Sequence, residues 1–201
     1  TRSANANFES NDALLKKLSE LEDILLPQDS NLGIFLGRFF NSLQEIATAP
    51  GDTAPRIVAI ETGKALANSF RQTSIISNEL LKGTLKQANQ DLTAVNVLAA
   101  ELVKINAALM SSGKSGNANN AMLDSRDRLI DEISKFVEVT TDLDSRGAAT
   151  LRLGNSGNGP VFVSNDSKAP ITVSETLDGI QYSLSSGGKQ APTSQITSGA
   201  L

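Results

Sequence analysis

The stretch that decides the fold is residues 81–109, LKGTLKQANQDLTAVNVLAAELVKINAAL. Its apolar positions recur at alternating steps of four and three residues, and one of the positions is taken by an asparagine. A heptad repeat of this length predicts a long helix that is packed along one side. This heptad seam consists of Leu81, Leu85, Ala88, Leu92, Val95, Ala99, Leu102, Asn106 and Leu109.

The heptad seam lies at the end of a longer predicted helix. Asp52 or Thr53 can cap its start, and Pro55 is tolerated in the first turn. No proline follows before Ser111, so the sequence predicts a helix over residues 52–111, about 80 Å long at ~1.5 Å per residue. The apolar stripe turns polar at residues 73–77, which is where a bend would fall.

Three shorter amphipathic helices are predicted around this long one. They cover residues 8–26, the segment from residue 32 to the Pro50-Gly51 pair, and residues 120–136. We expect the long helix to pack along the first and the third. The three apolar stripes are Leu14, Leu18, Leu21 and Leu25; Leu32, Leu36, Phe39, Leu43 and Ile46; and Met122, Leu129, Ile133 and Phe136.

After residue 136 the period of the sequence changes from helical to two. Short strands are predicted at residues 137–143, 149–153, 161–163, 171–173 and 180–184, with Gly, Asn and Asp in the turns between them. The fold class is therefore α+β, a long-helix antiparallel bundle or coiled-coil domain followed by a small antiparallel β domain. We expect a rod-like helical domain at 1–136, the β domain at 137–190 and a flexible return segment at 191–201. The Gly/Ser/Thr-rich tail from residue 185 is predicted to be mobile.

The composition excludes several classes of function. The net charge is −4 and no cluster of Lys and Arg occurs, which argues against a nucleic-acid partner. The chain has no His and no Cys, so the commonest general base and metal ligand and all thiol chemistry are missing. No apolar run approaches the roughly 20 residues that span a membrane. We expect no metal, no cofactor, no small-molecule substrate and no membrane partner.

Two segments superficially suggest chemistry. SGKSG at residues 112–116 is similar to a phosphate-binding loop, but Ala108 stands where that motif needs glycine, and the segment follows a helix. We interpret it as a linker. The other segment is an acidic cluster of Asp124, Asp127, Asp131 and Glu132. Because i,i+4 pairs with Arg128 and Lys135 are available, we interpret this cluster as a solvated helix face.

Two polar residues lie on apolar faces. Arg126 shares a side of its helix with Met122 and Leu129, so we expect it to reach an acid on a packed neighbour, such as Glu101 or Asp91. Asn106 interrupts the heptad seam. It either fixes the register of the packed helices or bonds to a loop carbonyl, and the sequence leaves both alternatives open.

Four blocks of sequence carry a family resemblance. FFNSL contains Phe39, Phe40 and Asn41 and continues through Pro50-Gly51-Asp52 to Arg56, while VKIN ends at Asn106. The most specific block is NAMLDSRDRLIDEIS at residues 120–134, and ITSGAL closes the chain. The signature positions of that third block are Leu123, Asp124, Arg126 and Asp127. Together the blocks resemble the bacterial flagellar hook-associated proteins of the hook–filament junction.

The resemblance implies a non-enzymatic building block of the bacterial flagellum. Such a protein is exported unfolded by the flagellar type III apparatus and assembles outside the cell, between the hook and the filament. Its partners would be like subunits and neighbouring axial proteins, namely the hook protein and the second junction protein. We expect this chain to be a fragment that lacks the terminal zones of the family, and we therefore expect it to be monomeric when isolated.

Rival hypotheses come from three classes. A sister axial protein, such as flagellin, is disfavoured by the MLDSRD block. An extracellular adhesin would bind its ligand through an aromatic-lined surface of the β segment, yet Phe162 and Tyr182 are the only aromatic residues after Phe136. An enzyme would have to rely on carboxylates or lysines alone.

Overall fold

The computed structural model describes residues 2–25, 32–111, 117–177, 179–186 and 189–192. The helices are α1 Arg2–Leu25, α2 Leu32–Thr48, α3 Thr53–Ser111 and α4 Asn117–Phe136. The strands are β1 Val139–Leu143, β2 Ala149–Leu153, β3 Val161–Val163, β4 Ile171–Thr176, β5 Gly179–Ser186 and β6 Lys189–Pro192. The predicted α+β class is confirmed.

The long helix is present as predicted. α3 continues through residues 73–77 without a break in its helical hydrogen bonding. The heptad seam forms its buried face, where Leu92, Val95, Ala99, Leu102 and Leu109 are at most 2% exposed. α4 begins at Asn117, earlier than the predicted residue 120, because composition locates a helix end only to within a few residues. The linker predicted at 112–116 lies outside the described residues.

The strands form two antiparallel three-stranded sheets, ordered β1-β2-β3 and β4-β5-β6. β2 alternates strictly, with Ala149, Leu151 and Leu153 fully buried and the residues between them half-buried. This alternation follows from the period of two in a strand whose one face meets a core. In the second sheet, Ile171 pairs with Leu184, and both side chains point into the same core.

The C-terminal tail contains strand structure that the sequence analysis did not predict. β5 extends to Ser186 and pairs with β6, whereas the last predicted strand ended at residue 184. Strand pairing uses backbone groups, which Gly- and Ser-rich segments possess like any other, so composition alone does not exclude it. The end of the predicted return segment, residues 193–201, lies outside the described residues.

The contacts divide the chain into two compact units. One comprises Thr1–Leu14 with Thr84–Leu201, and the other is Leu15–Gly83. The boundary predicted at residue 136 follows the change from helix to strand, whereas helices and strands of the first unit share one core. Its buried members are Leu92, Val95, Ala99, Leu102, Ile130, Ile133, Val137, Ala149, Leu151, Leu153, Phe162, Val163, Ala169, Ile171 and Leu184.

α1 lies beside α3, because its Glu20 and Asp23 line a groove together with Ile76, Glu79 and Leu80, but its leucine stripe is not buried as predicted. Its leucine stripe was expected to lie against the long helix, yet Leu14, Leu18 and Leu21 are 56%, 50% and 37% exposed. The side chain of Leu25 lies outside the described part of the chain. Amphipathic spacing shows which residues share a face, but it does not show whether anything covers that face.

α3 also meets a composition test for crossing a membrane. An 18-residue window of this helix reaches a mean hydropathy of 1.5, which corrects the expectation that no stretch is apolar enough. A third of that window, 33%, is buried inside the protein. The core helix of a soluble protein passes the same test, so this is weak evidence for a membrane span.

Candidate assembly site

The most specific sequence block, on α4, packs against the turn between β1 and β2. Arg126 is 6% exposed, and its Nη1 donates a hydrogen bond to the Gly147 carbonyl at 2.6 Å. Its Nε and Nη2 donate to Asp127 Oδ1 at 3.0 and 2.7 Å. A buried guanidinium requires such a partner because an unpaired buried charge is costly. The expectation that Arg126 reaches Glu101 or Asp91 is therefore wrong; its acidic partner is Asp127, the next residue along the chain, and its other partner is the Gly147 carbonyl.

Gly147 allows this close approach. Its φ of +87° is a conformation that residues with a side chain rarely adopt. A Cβ atom there would lie 2.7 Å from Leu123 Cδ2 and 3.1 Å from Arg126 Nη1. Leu123 and Arg126 therefore leave room only for glycine at position 147, unless their side chains move.

The same turn is tied to the end of α3. Arg146 Nη1 donates to the Met110 carbonyl at 2.6 Å, which satisfies one of the unpaired carbonyls in the last turn of that helix. Asp144 Oδ1 accepts hydrogen bonds from the backbone N–H groups of Arg146 and Ala148, at 2.8 and 2.9 Å. The turn is thus folded on itself and attached to both α3 and α4.

Asn106 attaches the first sheet to α3. It is fully buried; its Nδ2 donates to the Ala149 carbonyl at 2.8 Å, and its Oδ1 accepts from the Ala149 N–H at 2.8 Å. Nδ2 also lies 3.3 Å from the carbonyl oxygen of Ser164, in the loop after β3. Of the two alternatives, bonding to backbone carbonyls is the one that the structure forms.

A second asparagine repeats the arrangement and was missed by the sequence analysis. Asn96 Nδ2 donates to the Ile171 carbonyl at 2.8 Å, and Asn96 Oδ1 accepts from the Ile171 N–H at 3.0 Å. A signal was available, because an asparagine between Val95 and Val97 is unfavourable for helix propensity unless its amide is used. In each sheet, the backbone of the first residue of one strand is thus hydrogen-bonded to an asparagine of α3.

The block at residues 39–56 organises the α2–α3 corner of the unit Leu15–Gly83. The Phe39 ring is close enough to Gly63 that a Cβ there would lie 3.2 Å away, and its centroid is 6.0 Å from that of Phe40. Arg56 Nη2 donates to the Pro50 carbonyl at 2.6 Å, which holds the connecting turn. Asn41 is exposed, and Phe40 is 59% exposed.

The acidic cluster lies on a solvated face, apart from Asp127, which is half-buried and pairs with Arg126. Asp124 is exposed, and Lys135 Nζ lies 2.6 Å from Glu132 Oε1. That hydrogen bond raises the pKa of Lys135 above its ordinary value, with smaller contributions from other acids that include Glu9 of α1. Within the described residues, no group of three or more acidic side chains is placed to hold a metal ion.

An open groove of about 420 Å³ runs between α3 and α4. Two acidic and two basic residues line it together with apolar ones, and nothing in their arrangement resembles a nucleophile with an adjacent base. The lining residues are Glu101, Lys104, Ile105, Ser125, Arg128, Leu129 and Glu132.

Two helices present exposed apolar stripes. On α1 the stripe is Leu14, Leu18 and Leu21, and on α2 it is Leu36, Phe40 and Leu43 at 40%, 59% and 40% exposure. Both follow the spacing i, i+4, i+7, so each stripe lies on one face of its helix. Contiguous exposed apolar residues of this kind mark interaction surfaces.

Known proteins are similar to this chain in sequence. Residues 18–201 match the model of the flagellar hook-associated protein FlgK helical domain. Flagellar hook-associated protein 1 of Bacillus subtilis is 29% identical over 175 residues, which is 87% of this chain and 34% of that protein. The protein of the same name from Salmonella typhimurium is 27% identical over 146 residues, 70% of this chain and 26% of that protein.

A solved structure gives the same fold. The flagellar hook junction protein FlgK from Burkholderia pseudomallei superposes with a TM-score of 0.75 at 15% identity, over 100% of this chain and 37% of that one. At this identity the likeness concerns the fold alone. The chain thus spans about a quarter to a third of the length of its curated relatives.

Proposed function

We propose that this chain, which belongs to the family of the flagellar hook-associated protein FlgK helical domain, is the helical part of a protein that joins the hook to the filament of the bacterial flagellum. Its role is structural and non-enzymatic. Its partners are like subunits and the neighbouring axial proteins, the hook protein and the second junction protein. It acts outside the cell after export by the flagellar type III apparatus. The names of the curated relatives support this proposal.

The observation that carries the proposal is the pair of exposed apolar stripes on α1 and α2. The stripes use the same spacing as the heptad seam, but they are left uncovered within the described chain. A chain that functioned alone would expose such residues singly rather than in rows. We infer that neighbouring axial segments cover them in the assembled junction.

The packed unit supports a mechanical role. The β1–β2 turn is tied to α3 by Arg146 and to α4 by Arg126, and Asn106 fixes the start of β2. These bonds come from different elements and meet within a few residues. The β1–β3 sheet, which is held in this way, moves with its helices, as a junction between two tubes requires.

Complementation tests the proposal in a motile host that lacks its native junction gene. The full-length protein is expected to restore filament attachment. A Leu36→Ser/Phe40→Ser double variant of it should be exported but lose attached filaments, because serine removes the apolar surface of α2. Gln44→Ser, an exposed polar position on the same helix, is the matched control and should restore attachment. Full attachment by the double variant would contradict the proposal, and motility unaffected by deleting the gene would remove it.

We further propose that the isolated chain of 201 residues is mainly monomeric. The residues of the heptad seam from Ala88 onward are buried within the chain, so they are not available to a partner. The isolated chain is therefore not expected to restore filament attachment. Analytical ultracentrifugation checks the oligomeric state, and sedimentation as a stable ring would contradict it.

A further inference from the structure

The two sheets are attached to α3 with very different numbers of contacts. The β1–β3 sheet contributes Ala149, Leu151, Leu153, Phe162 and Val163 to the core, each of them fully buried. Three polar side chains, those of Asn106, Arg126 and Arg146, also link it or its turn to the helices. This sheet is held along β2 and β3 and at the turn between β1 and β2.

The β4–β6 sheet is held mainly at one end. Among its described side chains, only Ile171 and Leu184 are buried, while the adjacent pair Val173 and Tyr182 packs against the same core at half-buried positions. The other positions of β4 beyond Ile171 are exposed. Its polar attachment to α3 is the pair of hydrogen bonds between Asn96 and the backbone of Ile171. Lys168 Nζ, just before the sheet, donates to the Asn96 carbonyl at 2.5 Å.

The connection between the two sheets changes its hydrogen-bonding partner between two neighbouring residues. The Ala169 N–H donates to the Phe162 carbonyl at 2.8 Å, so the chain stays bonded to the first sheet up to this residue. Pro170 follows, and its carbonyl accepts from the Ser185 N–H at 3.0 Å, within the second sheet. The change of attachment therefore falls at Pro170.

We propose that the β4–β6 sheet is a flap that opens locally at Pro170 while the β1–β3 sheet stays docked, and that Asn96 is its latch. Regions with few buried apolar contacts open with a smaller free energy than the core. The side-chain amide of Asn96 offers one donor and one acceptor to the backbone of Ile171. It thereby makes the two hydrogen bonds that a neighbouring strand would otherwise make there. Opening the flap breaks this pair and uncovers Ile171 and Leu184, while the core residues of the first sheet keep their contacts.

Hydrogen–deuterium exchange followed by mass spectrometry tests the latch. In Asn96→Leu, both backbone groups of Ile171 lose their partner, so exchange in residues 171–176 and 179–186 is expected to accelerate by roughly tenfold. Exchange in residues 149–153 and 161–163 should stay within about twofold of the parent protein. Asn89→Leu is the matched control, because Asn89 is exposed on the same helix and bonds only within it, to the Leu85 carbonyl.

Two results would overturn the proposal. Equal acceleration in both sheets would show that they open as one unit, and unchanged exchange in residues 171–186 would show that Asn96 is not a latch. If Asn96→Leu does not fold, Asn96→Ala gives the same reading, because it removes the same two hydrogen bonds without adding a bulky side chain. Circular dichroism establishes that each variant retains its helices.

Discussion

The two halves of α3 share one helix and differ in almost everything else. In residues 53–83, Ala59 is the one buried apolar residue, while Ile57, Ile60 and Phe70 are 56%, 57% and 51% exposed. In residues 84–111, Leu92, Val95, Ala99, Leu102 and Leu109 are at most 2% exposed. Both halves are regular helix, so helix formation does not report packing. Most of the stability of a helix in a protein comes from the partner that covers its apolar face.

The sharpest test of this contrast compares one large side chain from each half. Leu102→Ala is expected to lower the free energy of unfolding by roughly 2–4 kcal/mol, because it leaves a cavity in a closed core. Leu92→Ala should behave in the same way. Phe70→Ala, at a half-exposed position, should cost less than about 1 kcal/mol. Urea titration measures both values, and the reverse order would show that the closed core has been assigned to the wrong half.

A second test concerns the polar contact inside the packed half. Asn106→Ala is expected to cost roughly 2–3 kcal/mol, since it leaves the N–H and carbonyl of Ala149 buried without a partner. Asn41→Ala, at an exposed position of α2, is the matched control and should change stability by less than about 0.5 kcal/mol. Denaturant midpoints at constant slope give the comparison. Equal effects at the two sites would mean that the Asn106 bonds contribute nothing.

Two glycines, one in each unit, predict effects of opposite sign. Gly147→Ala should destabilise by about 1–2 kcal/mol, because alanine is strained at positive φ and its Cβ meets Leu123. Gly37→Ala, on α2, meets nothing within 4 Å and should stabilise by about 0.5–1 kcal/mol through helix propensity. Thermal unfolding monitored by circular dichroism reports both. If Gly147→Ala stabilised the protein, the steric restriction that we infer at position 147 from Leu123 and Arg126 would be wrong.

The signature block itself contains a contrast between neighbours. Asp124→Ala should cost less than about 1 kcal/mol, since this carboxylate is exposed. Asp127→Ala should cost more, because it removes the carboxylate that pairs with the buried Arg126. Urea titration of the two variants decides the order. A larger loss of stability for Asp124→Ala would show that the block depends on the carboxylate of Asp124 and not on that of Asp127.

The smallest expected effect is a pH dependence of the second sheet. Burial raises the pKa of Tyr182 above its ordinary value of 10.0, and the charge of Asp91 adds to this. The unfolded chain therefore loses this proton first, so the stability that Tyr182 contributes is present below about pH 10 and is lost as the pH rises through the folded-state pKa. Tyr182→Phe should show a shallower loss of stability in urea titrations between about pH 9 and about pH 11. Identical slopes for the two proteins would refute this assignment.

Local pattern was enough to predict the elements. The heptad spacing gave α3, the change of period at residue 136 gave the first five strands, and α4 was misplaced by only a few residues at its start. These features depend on residues near one another in the chain. β6 was missed because its pairing with β5 depends on backbone groups, which leave little trace in composition.

The partners of polar side chains could not be obtained in this way. The sequence singled out Arg126 and Asn106 as unusual, but it predicted for Arg126 an acid on a packed neighbour, Glu101 or Asp91, that the structure does not use. For Asn106 it left open whether the side chain fixes the register or bonds to a loop carbonyl. Asn96, Arg146 and Gly147 were not noticed, because each is ordinary until the turn or strand that it meets is in place. The signature positions were recognised as a pattern, and the structure supplies a physical reason for three of them, Leu123, Arg126 and Asp127.

The sequence by itself determined where the helices and most strands run, because spacings of 3.6 and two residues are local properties of the backbone. Tertiary structure decided which apolar faces are covered. It buried the heptad seam from Ala88 onward and left the leucines of α1 exposed, although both show the same spacing. It also decided what Asn106 binds, since Ala149 lies 43 positions further along the chain. Spacing records that a face is apolar, whereas the presence of a partner depends on residues that only the folded chain brings together.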